Sequence, residues 1–263
     1  MTAGRDATSL AELAGRLREL HRPGDPVVLP NAWDPPSARR LAATGAPALA
    51  TTSVAVAEAL GYEDEERTPP AEMLAAVGRI VAAAGGLPVT ADLEAGYGLA
   101  ADDLVAGVLE AGAVGLNQED TDHSTGELRD PDEHAVWLAA IKEAGRAAGV
   151  DVVLNARVDS FLRAGADADM EAVLDEAVAR GRRYAEAGAD CVYPFAARGK
   201  AAIRRLVEEV GAPVNIVGVP RGLSRSELAE LGVARISFGG GLAQRALDAA
   251  AAEVEEYMSP RRD

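Results

Sequence analysis

The sequence predicts a (β/α)8 barrel. Short runs rich in Val, Ile and Leu alternate with Ala-rich amphipathic stretches from about residue 27 to the end, and eight such strand-then-helix units can be counted in the 263 residues. Alternation of this kind implies a parallel sheet with right-handed crossovers. Eight units in roughly 250 residues close most naturally into a barrel. An open doubly wound sheet is the competing architecture, but no G-x-G-x-x-G follows the first strand. The chain therefore reads as one domain over 1–263, with an extra N-terminal helix over about 8–21 and the barrel over about 27–258.

In order along the chain, the first element is an amphipathic helix, about Leu10 to Leu20, placed outside the barrel as a bottom plug or an oligomer contact. Strand one is VVLPNAW from Val27, followed by the helical stretch PPSARRLAATG. ALATTSV from Ala48 is strand two, and PVTADLE from Pro88 is strand three, with PPAEMLAAVGRIVAAAGG between them. Strands four and five are VGLNQED from Val114 and VVLNARVD from Val152. CVYPF from Cys191, PVNIVGV from Pro213 and ARISFGG from Ala234 complete the set, with SRSELAELG between the last two. No linker, low-complexity segment or charge block interrupts the series.

Composition removes several classes of function. With 26 Lys and Arg against 42 Asp and Glu, the net charge of −16 repels phosphate backbones and anionic lipid. Aromatic residues make up 4% of the chain, too few for base-stacking platforms. Nucleic acid and membrane surfaces are accordingly not expected as partners. A single cysteine, Cys191, forbids an internal disulfide and any multi-cysteine metal site. The first 20 residues carry no continuous apolar stretch of signal-peptide type, and no later run reaches the length of a spanning helix. A cytoplasmic protein is expected.

Barrels of this class carry their chemistry at the C-terminal ends of the strands. Strand three ends in Asp92-Leu93-Glu94, and strand alternation turns Asp92 and Glu94 to the same side, into the mouth. Strand four adds Asn117-Gln118-Glu119-Asp120, and Asp64 follows strand two in Gly61-Tyr62-Glu63-Asp64. Carboxylates crowded at one mouth repel one another unless a cation sits among them. Hard oxygen ligands of this sort suit Mg²⁺ or Mn²⁺, with water completing the octahedron, and the same-facing Asp92 and Glu94 are the candidates for a metal-linked role. Helix capping is the plainer role for such acids, and it weighs equally for Asp34, Asp64 and Asp120.

Strand five places Arg157 two residues past Asn155, where an inward guanidinium is suited to a substrate carboxylate. Tying down Glu119 or Glu94 is its alternative role. Ser53 and Asn215 could add neutral hydrogen bonds to a ligand or be satisfied inside the barrel. The lysines, Lys142 and Lys200, lie on helices, so no amine is placed for Schiff-base chemistry. Of the histidines, His21, His123 and His134, His123 alone falls in a loop that can hang over the mouth, as a general acid or base or simply solvated. Cys191 opens its strand, the wrong end for a nucleophile, and Phe238-Gly239-Gly240-Gly241 is a weak phosphate-turn signal.

Taken together, these segments resemble the isocitrate lyase and phosphoenolpyruvate mutase superfamily. The resemblance runs from Pro30-Asn31-Ala32-Trp33-Asp34 through Gly61-Tyr62-Glu63-Asp64, Asp92-Leu93-Glu94-Ala95-Gly96-Tyr97-Gly98, Gly115 to Asp120 and Asn155-Ala156-Arg157 to Asn215. It implies an oligomer, dimer or tetramer, whose last helix is exchanged between neighbours. It also implies Mg²⁺ near Asp92, Glu94 and Glu119, and an α-oxo or α-hydroxy acid chelated beside Asp64, Arg157 and Ser53, with the enolate oxyanion stabilised by the cation and Arg157. Two features depart from the pattern. The Lys-Lys-Cys-Gly-His loop of the isocitrate and methylisocitrate lyases is replaced by Thr121-Asp122-His123-Ser124-Thr125-Gly126, and Glu94 stands where a second Asp is usual.

The sequence thus points to a Mg²⁺-dependent lyase acting on a C–C bond of a small 2-oxo or 2-hydroxy dicarboxylic acid, with Arg157, Glu119 and His123 in catalysis and Ser53, Asp64, Arg157 and Asn215 holding substrate. A phosphorus–carbon mutase or hydrolase acting on phosphonopyruvate is the runner-up. A non-catalytic barrel that binds a carboxylic acid is a third possibility.

Overall fold

A computed structural model describes residues 6–219 and 221–259. Its strands are β1 (Val27–Leu29), β2 (Asn31–Ala32), β3 (Leu49–Thr51), β4 (Val89–Asp92), β5 (Gly115–Glu119), β6 (Thr121–Asp122), β7 (Glu127–Leu128), β8 (Val153–Val158), β9 (Cys191–Pro194), β10 (Asn215–Val217) and β11 (Arg235–Ser237). The helices are α1 (Ala7–Glu19), α2 (Pro35–Ala42), α3 (Ser53–Leu60), α4 (Pro70–Ala83), α5 (Ala101–Glu110), α6 (Pro131–Ala147), α7 (Ser160–Arg163), α8 (Met170–Glu186), α9 (Lys200–Glu209), α10 (Arg225–Glu230) and α11 (Gly241–Met258).

Parallel pairing runs β2-β3-β4-β5-β8-β9 in one stretch and β1-β11-β10 in the other. The first seam between them is closed by a parallel bridge, Val192 to Val214. At the second seam β1 and β2 are one strand interrupted at Pro30, which has no N–H to donate but whose carbonyl accepts from the Ala50 amide at 3.1 Å. Eight parallel strands therefore close into the barrel that the alternation predicts. The remaining pair, β6 and β7, is a small antiparallel hairpin in the loop after β5.

Helix α1 spans Ala7–Glu19 rather than the expected Leu10 to Leu20, because Asp6 caps it by accepting from the Ser9 amide at 2.8 Å. It floors the barrel. A Cβ on Gly115, the first residue of β5, would lie 3.0 Å from Leu17 Cδ2 and 2.7 Å from the Val153 carbonyl, so only glycine fits there. Around the floor, Asp190 accepts from Arg18 Nε at 2.7 Å and from Lys142 Nζ at 2.8 Å. Helix α2 starts with a reciprocal capping box between Asp34 and Ser37, so Asp34 serves the helix.

At the other end of the chain α11 leaves the barrel. Its one buried residue is Ala243, while Leu247, Val254, Tyr257 and Met258 are exposed. A groove of about 540 Å³ lined by Val27, Val28, Leu41, Phe238 and Leu242 lies beside its root.

Candidate active site

Strand β4 stops at Asp92, so alternation within a strand is not what brings Glu94 to the mouth. Glu94 gets there by a left-handed turn, with φ 47°, as do Tyr97 (φ 56°), Glu65 (φ 66°) and Glu66 (φ 59°). Four side-chain-bearing residues in that region are strained backbone, which collects at functional sites. The strain is held by mutual hydrogen bonds. Glu94 Oε1 accepts from the Tyr97 hydroxyl at 2.6 Å, Glu94 Oε2 accepts from the Glu66 amide at 2.6 Å, and the Glu66 carboxylate accepts from the Tyr97 amide. Gly96 between them has φ 101°, and a Cβ there would meet Trp137 at 3.0 Å.

Asp92 is buried and takes three donors: the Ser53 amide at 3.0 Å and hydroxyl at 3.2 Å on Oδ2, and Asn117 Nδ2 at 3.4 Å on Oδ1. Ser53 opens α3, so the first turn of that helix faces an anion. Glu119 ends β5 between a guanidinium and an imidazole, with Arg157 Nη1 2.6 Å from Oε2 and His123 Nε2 2.7 Å from Oε1. Arg157 also donates from Nε to Asp159 at 2.6 Å and stacks over the Phe195 ring at 4.2 Å. The arginine is thus already paired with protein carboxylates. Its Nη2 carries no hydrogen bond among the described residues.

His123, expected in an exposed loop, is drawn inward by the β6–β7 hairpin. Its imidazole is nearly buried, and Nε2 stands 3.8 Å from Glu94 Oε2 as well as beside Glu119. Asn215 turns both ends of its amide to Ser237, donating at 3.1 Å and accepting at 3.2 Å, so it is a satisfied interior residue. Asp120 faces away from the mouth, accepting from Tyr184 at 2.7 Å and Arg180 at 3.2 Å. Asp64 is half-buried at the rim, and its Oδ1 has no partner among the described residues.

The electrostatics follow from this crowding. Burial pushes Glu94 up to about 8; hydrogen bonds from Tyr97 and Glu66 pull it back in part, and the charge of Asp64 raises it further. Burial likewise raises Asp64, with Asp92 adding to it, and raises Glu119 against the opposing pull of Arg157 and His123. For His123 burial works downward, but Glu119 and Glu94 lift it above the ordinary histidine value. Burial and the charge of Glu94 raise Tyr97 far above the phenol range, keeping it a donor.

Crowded carboxylates and the unpartnered Asp64 Oδ1 make a set of hard oxygen donors of the kind that suits a divalent cation. Among the described residues no three His, Cys, Asp or Glu side chains are arranged to enclose an ion by themselves. The donor chemistry fits Mg²⁺ or Mn²⁺ with water in most of the shell, which Mg²⁺ ordinarily keeps.

Sequence reading passed over Glu66, Tyr97, Asp159 and Arg235. Arg235 carries a legible signal: in Ala234-Arg235-Ile236-Ser237 a charged residue occupies an inward position of a barrel strand. The lock between Glu66 and Tyr97 depends on left-handed backbone and leaves no such pattern.

The family described as phosphoenolpyruvate phosphomutase matches residues 17–258. A crystal structure from Burkholderia cenocepacia, of a protein assigned by inference as a phosphonomutase, aligns at TM-score 0.87 and 44% identity, covering 94% of this chain and 99% of that one. A Mycobacterium tuberculosis protein of uncharacterised function is 37% identical over 224 residues, 84% of this chain and 80% of its own length. The 2-methylisocitrate lyase of Bacillus subtilis is 29% identical over 216 residues, 79% of this chain and 67% of its own length.

Proposed function

The chain belongs to the phosphoenolpyruvate phosphomutase family, and on that premise we propose that it is a cytoplasmic, Mg²⁺- or Mn²⁺-dependent lyase that breaks a C–C bond in a small 2-oxo or 2-hydroxy dicarboxylic acid through an enolate. The observation that carries this reading is the convergence of Asp64, Asp92, Glu94 and Glu119 on one mouth with a single guanidinium, Arg157.

In this reading Asp92 would hold the cation, and Glu94 and Glu119 would accept from its water ligands. When bound, the ion supplies Lewis-acid polarisation to the C1 carboxylate and C2 oxygen of the substrate. The Ser53 hydroxyl and Asp64 line the carboxylate end, and Arg157 Nη2 binds carboxylate or enolate oxygen. For a 2-hydroxy acid, the O2 proton passes to a mouth carboxylate, the C2–C3 bond breaks, and C2–O2 becomes a carbonyl. The electron pair remains on C3, delocalised into its carboxyl group as the enolate, and His123 Nε2 returns a proton to C3. Turnover measured on a panel of 2-oxo and 2-hydroxy dicarboxylic acids, with Mg²⁺ and with EDTA, tests this. Activity that survives chelation, or is unchanged in Asp92→Ala, removes it.

A phosphorus–carbon reaction is the second reading, favoured by the 44% identity to the protein assigned as a phosphonomutase. Against it, the hairpin segment Thr121 to Leu128 brings no lysine or arginine for a phosphoryl group. Consumption of phosphonopyruvate in a phosphorus NMR time course would establish it, and none would dispose of it.

The exposed apolar side chains of α11, beside a groove where a last barrel helix would lie, support a homo-oligomer, dimer or tetramer, with α11 seated on a neighbour. Light scattering should then give a multiple of the chain mass that falls to the monomer in Leu247→Glu with Val254→Glu.

A further inference from the structure

Among the described residues the largest fully buried side chain is an arginine. Arg235 lies on β11 with β1 and β10 on either side, in register with Val27 and Asn215, and is 0% exposed. One of its nitrogens, Nη2, has a polar partner, Asn117 Oδ1 at 3.4 Å; Nε and Nη1 have none among the described residues. A guanidinium stays charged throughout the accessible pH range, and a buried charge with unmet donors is strongly disfavoured unless something offsets it. Cys191 and Tyr193, both pushed up to about 12, act on it first, Asp92 is the carboxylate that acts on it, and His21 is lowered in part by its charge. Asn117 links Arg235 to Asp92. Its Oδ1 accepts from Asn155 Nδ2 at 2.7 Å and from Arg235, which turns its Nδ2 toward Asp92 Oδ1 at 3.4 Å.

The guanidinium at the mouth, Arg157, has little charge to spare, because it is already held between Glu119 and Asp159. Asp92 is therefore placed between the mouth above and a fixed cation behind it.

We infer that Arg235 is a resident counter-cation of the acidic mouth, a positioning residue behind Asp92 that offsets the repulsion among the carboxylates when no divalent ion is present and thereby weakens the binding of that ion. The inference rests on the reading of Asp92 as the ion's anchor. It concerns affinity and exchange, since a positive charge behind the anchoring carboxylate opposes a dication in front of it. It also explains why an arginine occupies a barrel position that an apolar residue would fill without unmet donors.

The test is a calorimetric titration of Mn²⁺ and of Mg²⁺ into the full-length wild type, Arg235→Lys and Arg235→Met, with circular dichroism confirming the fold. Arg235→Met should bind Mn²⁺ at least ~10-fold more tightly, whereas Arg235→Lys, which keeps the charge, should stay within about threefold of wild type. A merely structural role predicts equal or weaker binding in Arg235→Met, and either result overturns the inference. Should Arg235→Met not fold, Arg235→Gln gives the same comparison with a neutral, hydrogen-bonding side chain. Wild-type binding that is lost in Asp92→Asn but unchanged in Arg235→Met refutes this inference alone. A flat wild-type titration refutes the anchor reading and this inference together.

Discussion

On the outer face of the barrel sheet, Leu116, Leu154, Val192, Ile216 and Ile236 are buried beneath the helices; of the polar side chains that enter that layer Gln118 and Lys142 are partnered, whereas both ring nitrogens of His134 have no partner among the described residues. Gln118 accepts from Trp137 Nε1 at 3.0 Å and donates to the Asn117 carbonyl at 2.8 Å, while Lys142 donates to the Val152 carbonyl and to Asp190. The inner face is different. It carries Thr90, Asp92, Asn117, Glu119, Asn155, Arg157, Asn215, Arg235 and Ser237, and Thr90 Oγ1, Asn155 Oδ1 and two nitrogens of Arg235 have no partner among the described residues. The outer side is mostly apolar, with His134 as an unmet polar group; the inner side gathers polar and charged side chains, several of them unmet. Folding free energy is concentrated where apolar area is buried, and the inner face spends stability on charge placement.

That contrast can be broken by substitution on either side. The largest expected effect is on the inner face. Glu119→Gln, nearly isosteric, should lower kcat/KM by ~10³-fold while shifting the urea midpoint by less than about 1 kcal/mol equivalent; a variant that retains activity removes Glu119 from the site. On the outer face the pattern should invert. Leu154→Ala should destabilise the protein by about 2–5 kcal/mol in urea unfolding and leave kcat/KM of the folded enzyme within about threefold.

A smaller effect is expected from a buried histidine under the outer layer. Burial, helped by Arg129 and Arg180, pushes His134 down to about 3, and its ring sits edge-on to Tyr184 at 5.0 Å. A depressed pKa means that the unfolded chain takes up the proton first. Stability from the neutral ring is complete above about 6.5 and is lost as pH falls toward about 3. Between pH 7 and 4 the wild type should lose about 3 kcal/mol that His134→Phe does not lose, read from urea midpoints at each pH. Parallel curves for the two proteins would contradict the assignment. The smallest expected effect separates capping from chemistry: Asp34→Ala should cost about 1 kcal/mol through the lost capping box and leave turnover unchanged. A fall in turnover would return Asp34 to the site.

Much of this was legible in advance. Alternation of β-rich and Ala-rich stretches carries barrel closure because period and order are local properties of the chain, and the rule that chemistry sits at strand ends then selects Asp92, Glu119 and Arg157. The placement of Asp34 at a helix start was legible as a capping alternative. The extension of strand three through Glu94 was read incorrectly, because a left-handed turn obeys no periodicity. Whether His123 hangs over the mouth or is simply solvated stayed open in the sequence, because the hairpin that draws it inward is a tertiary feature.

By itself, then, the sequence determined the architecture, the acidity of one mouth and the absence of a strand lysine, since each depends on residue type and spacing along one segment. Only the tertiary structure decided which acids crowd one another at the mouth, that Asn215 is satisfied by Ser237, that Glu66 and Tyr97 lock Glu94, and that Arg235 reaches Asn117, which in turn reaches Asp92. Those are pairings between residues 22 to 118 positions apart, apart from the short Tyr97–Glu94 contact. Electrostatic interaction depends on distance through the folded interior, a quantity that no local pattern encodes.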